Sequence, residues 1–301
     1  MTFKSGYRAD PLVAEENELG EGPLFDERSE SVFWVDIERR RVWQFSLAAG
    51  RSRFFDVEEK PGCLFLLPDP TFLLVAVPSG FRRLSLEDGV LAPAERLINI
   101  SPELRFNDGK ADAAGRIWIG TMGFKPRETP GCLYRVNTNG EVQGKLQNLT
   151  IANGLGWSPD GGTFYYIDSP TKKVMAYAFD PQTGEISEGR CAVDTAAVPG
   201  IPDGMSVDAE GMLWVAFWGG RQVARFDPRS GDLLASVEVP CSQVTSCAFG
   251  KAGSGDLFIT TARTGLSKEA LQKEPLAGAL FRAKVPVDGL PANVVKGERL
   301  I

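Results

Sequence analysis

Apolar and polar positions alternate over short runs bounded by Gly, Pro, Asp and Asn. No long stretch of 3.6-residue period stands out, apart from one between Ser267 and Lys273. Short alternating runs between turn signals predict β-strands. The 33 Gly and 20 Pro are spread along the chain rather than gathered into a linker, so the whole length reads as all-β.

Six of these runs resemble one another: VFWVD (32–36), FLLVA (72–76), IWIGT (117–121), FYYID (164–168), LWVAF (213–217) and LFITT (257–261). Centred on Trp34, Leu74, Trp118, Tyr166, Trp214 and Phe258, they recur at intervals of 40, 44, 48, 48 and 44 residues. Turns such as DAAGR, SPDGGT and DAEGM precede them, and most are followed by a second strand and an Asp- and Gly-rich turn. A period of this length holds about four strands, which is the signature of a propeller blade. The expectation is a single all-β domain over 1–301, a six-bladed β-propeller with four-stranded blades around a central channel. Residues before Glu16 are expected to add an outer strand to the last blade. A β-sandwich with accidental periodicity is the competing fold, and the even spacing disfavours it. Trp34, Trp118 and Trp214 recur at the repeat anchor and are expected in the core. Asp36 and Asp168 share one repeat phase and are expected to cap strand ends.

Composition narrows the chemistry. With 43% apolar and 24% charged residues in 301, the chain can bury a large core without disulfides. A formal charge of −6 gives no electrostatic footprint for nucleic acid or an anionic membrane. The histidine count is zero, which excludes a Ser-His-Asp triad, a Cys-His pair and a His-ligated zinc. Acid–base work must come from carboxylates, Lys, Tyr, Cys or metal-bound water. The five cysteines, Cys63, Cys132, Cys191, Cys241 and Cys247, are odd in number and far apart, so buried free thiols are expected. The N-terminus has no apolar signal region, and no run approaches the roughly 20 residues that span a bilayer. A soluble protein of the cytoplasm is the expectation.

Eleven to thirteen residues before the anchors lie Glu21, Asn107, Asn153 and Asp203, each next to a Gly or one residue from it. The other two repeats place Gly62 and Thr245–Ser246 there. This phase falls where a loop enters the innermost strand, so these side chains would form a ring at one end of the channel. Each motif alone is a turn former. Together, two carboxylates and two amides suit a hard divalent cation with open positions for water or substrate. Asp108 and Lys110 follow Asn107, and strand alternation is expected to turn them away from the channel into structural roles.

The segments LGEGPLFDERSESVFWVDI, RFNDGKADAAGRIWIGTM, IANGLGWSPDGGTFYYIDS, IPDGMSVDAEGMLWVAFWGG and VTSCAFG resemble the SMP-30/gluconolactonase/regucalcin-like family, over about Glu18 to Val285. The resemblance implies a propeller with one divalent metal on its axis and hydrolysis of a sugar lactone to an aldonic acid. By motif, Glu21, Asn153 and Asp203 resemble the metal ligands, and Arg105 and Asn107 the residues that contact substrate hydroxyls. MGFKPRETP (122–130) is shorter than the lid of the animal members, and Glu128 stands in for a lid carboxylate there. Asp203 is the expected catalytic base. Ca²⁺ is the first expectation for the metal, with Zn²⁺, Mn²⁺, Mg²⁺ and Fe²⁺ compatible. The expected partner is a small sugar lactone. A calcium-binding regulatory protein without turnover is the alternative within the family. A paraoxonase-type hydrolase needs histidines that are absent, and a WD or Kelch scaffold would not carry the axial carboxylates.

Overall fold

The computed structural model describes residues 6–297. After β1 (Gly6–Val13) the strands come in consecutive antiparallel groups. The first group is β2 (Gly20–Asp26), β3 (Ser31–Asp36), β4 (Arg41–Ser46) and β5 (Arg51–Asp56), and the next is β6 (Cys63–Leu66), β7 (Phe72–Val77) and β8 (Gly80–Ser85). Then follow β9 (Leu104–Ala111), β10 (Ile117–Gly123), β11 (Gly131–Val136) and β12 (Val142–Leu149), and β13 (Ala152–Trp157), β14 (Thr163–Asp168), β15 (Lys173–Ala178) and β16 (Arg190–Asp194). The chain continues through β17 (Ile201–Val207), β18 (Leu213–Trp218), β19 (Gln222–Phe226) and β20 (Leu233–Glu238), and through β21 (Val244–Phe249), β22 (Asp256–Thr261) and β23 (Leu280–Lys284). One helix, α1 (Lys268–Lys273), starts at Ser267, whose hydroxyl accepts the Ala270 N–H.

The architecture is all-β and propeller-like, but the expectation of six four-stranded blades needs correction. Six separate four-stranded sheets are not present among the described residues. Four sheets stand alone at blade size, one of them with three strands, and the rest of the chain forms one continuous eight-stranded sheet. The cause is β1. It pairs antiparallel with β23 through Ala9↔Ala283, as an outer strand, and also runs parallel to β20 through Tyr7↔Val237. That second ladder joins two strand groups that the repeat arithmetic counts apart. In the three-stranded sheet, Leu91 and Glu95 make only isolated bridges to Leu84 and Phe81, with Pro93 between them. Proline has no N–H to continue a ladder.

The second strand of each group is buried along nearly its whole length, as in β3, β10 and β18. Each lies mid-sheet with other sheets packed on both faces, so its sequence is a near-continuous apolar run. Outer strands such as β5 and β12 are half exposed and carry the polar residues. Trp34, Trp118 and Trp214 are wholly buried. Their indole N–H groups donate to Asn17 Oδ1 (3.2 Å), Asp112 Oδ2 (3.0 Å) and Asp208 Oδ2 (2.9 Å), which satisfies the polar tip of a core aromatic. Asp36 accepts the N–H groups of Glu18 and Leu19, and Asp168 those of Thr150 and Ile151. Both aspartates thus staple the loop that enters the innermost strand. All five cysteines are free; Cys63, Cys241 and Cys247 are buried, whereas Cys191 is exposed, which corrects the expectation for that thiol. Among the described residues no helix is long and apolar enough to cross a membrane.

Candidate metal and substrate site

The innermost strands β2, β6, β9, β13, β17 and β21 each touch the next, and β21 returns to β2. Their first residues therefore meet at one end of the enclosed channel. In five of the six, the pairing register slips at the same phase. The slips lie between Glu21 and Leu24, between Phe106 and Gly109, between Asn153 and Leu155, between Pro202 and Met205, and between Val244 and Ser246. A bulge inserts an unpaired residue and re-aims the side chains beside it. Glycine makes the close approach possible. A Cβ on Gly154 would lie 2.7 Å from the Asp203 carbonyl oxygen, and one on Gly62 would lie 2.5 Å from that of Phe106.

Asn153 and Asp203 are buried, as are Arg105 and Asn107, while Glu21 keeps part of its surface open to the channel. Asp203 Oδ1 is buried without a hydrogen-bond partner. Burial raises the Asp203 carboxyl well above its usual range, and the charges of Glu21 and Asp108 add to this; Asn153 and the Arg105 charge pull the other way. Burial likewise pushes Glu21 up to about 8, with Asp108 contributing and the Gly22 N–H and Arg105 opposing. These are the marks of acids gathered in a low-dielectric site without enough positive charge.

The amide of Asn107 is fixed at both ends. Its Oδ1 accepts from Arg105 Nη1 at 2.6 Å, and its Nδ2 donates to the Ala152 carbonyl at 2.7 Å, next to Asn153. Arg105 Nη1 also reaches the Phe106 carbonyl at 3.0 Å. The hydrogen bonds of Arg105 all use Nη1 among the described residues, so its other nitrogens are available to a ligand. Asn153 Nδ2 donates to the buried Ser169 hydroxyl at 3.0 Å.

Glu128 is not brought into this group. It is exposed in the loop after β10 and pairs with Lys125 at 3.1 Å. With Arg127, Thr150, Ile151 and Lys172 it lines a shallow depression beside the entry to β13.

Below the ring the channel holds a cavity of ≈ 140 Å³ lined by Cys63, Asp108, Lys110, Ser206, Ser246 and Phe249. Asp108 and Lys110 therefore do not turn away as strand alternation predicts. The slip between Phe106 and Gly109 breaks the alternation there. The signal in the sequence was the adjacent polar pair Asn107–Asp108 before Gly109, which an unbroken inner strand does not accommodate.

The donors fit a hard cation. They are oxygens on three strands, one of them orphaned and buried, and a positive ion would relieve the crowding of Glu21 and Asp203. Among the described residues no group of three or more His, Cys, Asp or Glu is placed to hold a metal. The candidate set has two carboxylates, so Asn153 and non-protein ligands would have to complete the coordination.

Residues 19–263 match the model of the SMP-30/gluconolactonase/LRE-like region. The chain is 36% identical to regucalcin of Danio rerio over 291 residues, covering 95% of this chain and 98% of that protein. It is 34% identical over 271 residues to the Bacillus subtilis (strain 168) protein named "Putative sugar lactone lactonase YvrE", covering 90% and 92%. Among solved structures it superposes on a calcium-binding protein, regucalcin, from Agrobacterium tumefaciens, with a TM-score of 0.91, 30% identity, and 98% and 100% coverage.

Proposed function

The chain belongs to the SMP-30/gluconolactonase/LRE-like family, and from that premise we propose that it is a divalent-cation-dependent hydrolase of a sugar lactone. The observation that carries this reading is the orphaned Asp203 Oδ1, buried in a ring of oxygen donors that also holds Glu21 and Asn153. Glu21, Asn153 and Asp203 would hold the cation, Ca²⁺ first among the candidates because the donors are all oxygen. When bound, such an ion supplies Lewis acidity to an ester carbonyl and to water.

The chain's own residues do the rest. Asp203 takes up the proton of the attacking water on a carboxylate oxygen, since no histidine is present to do so. Arg105 offers its remaining guanidinium donors to substrate hydroxyls, and Asn107, held at both ends of its amide, fixes the plane of that guanidinium. Burial of these groups keeps bulk water from the reacting ester and strengthens each polar contact. Glu128, exposed at the rim, would meet a substrate only from the outer side of the mouth.

The names of the relatives support this reading from two sides: the Bacillus protein is named "Putative sugar lactone lactonase YvrE", and the Agrobacterium protein is described as calcium-binding. Lactone opening releases acid, so a pH-stat assay over a panel of aldonolactones tests it. Acid release is expected with Ca²⁺ or another divalent ion and lost on chelation. Asp203→Asn and Asn153→Ala are each expected to lower turnover by at least about 100-fold while the fold persists. Full turnover in thoroughly chelated protein would overturn the cation requirement. Tight Ca²⁺ binding with no acid release on any lactone would favour a calcium-binding role without turnover.

A further inference from the structure

Two half-buried charged residues in the channel take no part in the proposed chemistry. We infer that Asp108 and Lys110 act as an opposed charge pair that sets how tightly the Glu21–Asn153–Asp203 group holds a cation. The inference rests on the reading of that group as a cation site.

Both residues face the cavity below the ring. Asp108 lies in the register slip of β9, one residue after Asn107, and its carboxylate accepts the Gly109 N–H at 2.7 Å. Lys110 reaches away from its own strand. Its Nζ donates to the Met205 carbonyl at 2.5 Å, on β17, two residues beyond Asp203. Strand β13 lies between β9 and β17 in the ring, so the ammonium group reaches across to the strand that carries Asp203. Among the described residues Lys110 makes no salt bridge, and Asp108 is the acid that acts on it most strongly. Its charge is therefore not neutralised by a salt bridge and acts across the enclosed channel, where a low dielectric lengthens the reach of a field.

The couplings run as this arrangement requires. Asp108 raises both Glu21 and Asp203, and Lys110 opposes the burial that raises Asp108. A negative charge below the ring attracts a divalent ion to it, and a positive one repels it. Asp108 and Lys110 thus oppose each other in effect although neither is a ligand. Asp108 is in this sense a positioning residue of the electrostatic kind.

The test uses the full chain, stripped with chelator and titrated with Ca²⁺ in a calorimeter. Asp108→Asn keeps the shape and removes the charge; it should weaken Ca²⁺ binding about tenfold. Lys110→Gln keeps a donor for the Met205 carbonyl and should tighten binding by a similar factor. The double variant should return to within about threefold of wild type, because opposite charges cancel, whereas two lost structural contacts add. If both single variants weaken binding and the double is worse, or if neither changes it, the inference is overturned. Should Lys110→Gln not fold, Asp108→Asn decides alone. Its metal-free melting temperature should rise while Ca²⁺ affinity falls, and a fall in both would overturn the pair. Wild-type protein that binds no Ca²⁺ would overturn the cation site and this inference together. Wild-type binding with unmoved variants overturns the inference only.

Discussion

Glu21 concentrates the electrostatic cost of the site in one side chain. Its carboxyl is raised to about 8, chiefly by burial and then by Asp108, so ionising it costs more in the folded chain than in the unfolded one. The sign follows directly. The stability linked to Glu21 is fully present below the ordinary glutamate range and is lost as pH rises through about 8. Metal-free protein should therefore melt at progressively lower temperature between about pH 5 and pH 8, and Glu21→Gln should flatten that slope. Saturating Ca²⁺ should flatten it too, since the ion stabilises the ionised form. Thermal melts in chelator and in Ca²⁺ across this range check both. The buried thiols take no part: burial pushes Cys247 up to about 12, so it stays protonated and unreactive at neutral pH.

At the scale of elements, the inner strands depart from ideal β-structure where the site residues sit. An unbroken strand would send Asn107 and Asp108 to opposite faces. The slips opposite β10, β14 and β18 release the backbone from that rule, and glycines allow the strands to close on one another. Gly154 shows how tight this is, with its absent Cβ position 2.7 Å from both the Asp203 carbonyl oxygen and Met205 Cβ. Gly154→Ala should cost about 1–3 kcal/mol in urea unfolding, as overpacking does, and should weaken Ca²⁺ binding by moving β17. Stability loss without any change in Ca²⁺ affinity would show that β17 does not hold the ligand in place.

For the whole molecule, β1, the first described strand, is the tie that joins the last strand, β23, to β20. It covers an edge of β23 on one side and of β20 on the other. Deleting residues up to Val13 should leave both edges open. We expect a loss of about 3 kcal/mol, roughly 5 °C in melting temperature for a chain of this size, and self-association through the bared edges. Scanning calorimetry and light scattering measure the two effects. An unchanged melting temperature would show that the inner-strand contacts close the ring without it.

The sequence by itself determined the all-β character, the recurrence of the buried second strands, and the repeat phase that holds Glu21, Asn107, Asn153 and Asp203. Each depends on local pattern: side-chain alternation, turn residues, and the spacing of an aromatic anchor. Asp36 and Asp168 were legible as caps for the same reason, because a capping carboxylate serves backbone near it in the fold of one repeat. Only the tertiary structure decided how the strands join into sheets, because the β1–β20 ladder links residues more than two hundred apart. It also decided that Asp108 and Lys110 face the channel and that Glu128 stays at the rim. Those outcomes depend on register slips and loop paths set by packing between sheets, which no single repeat contains.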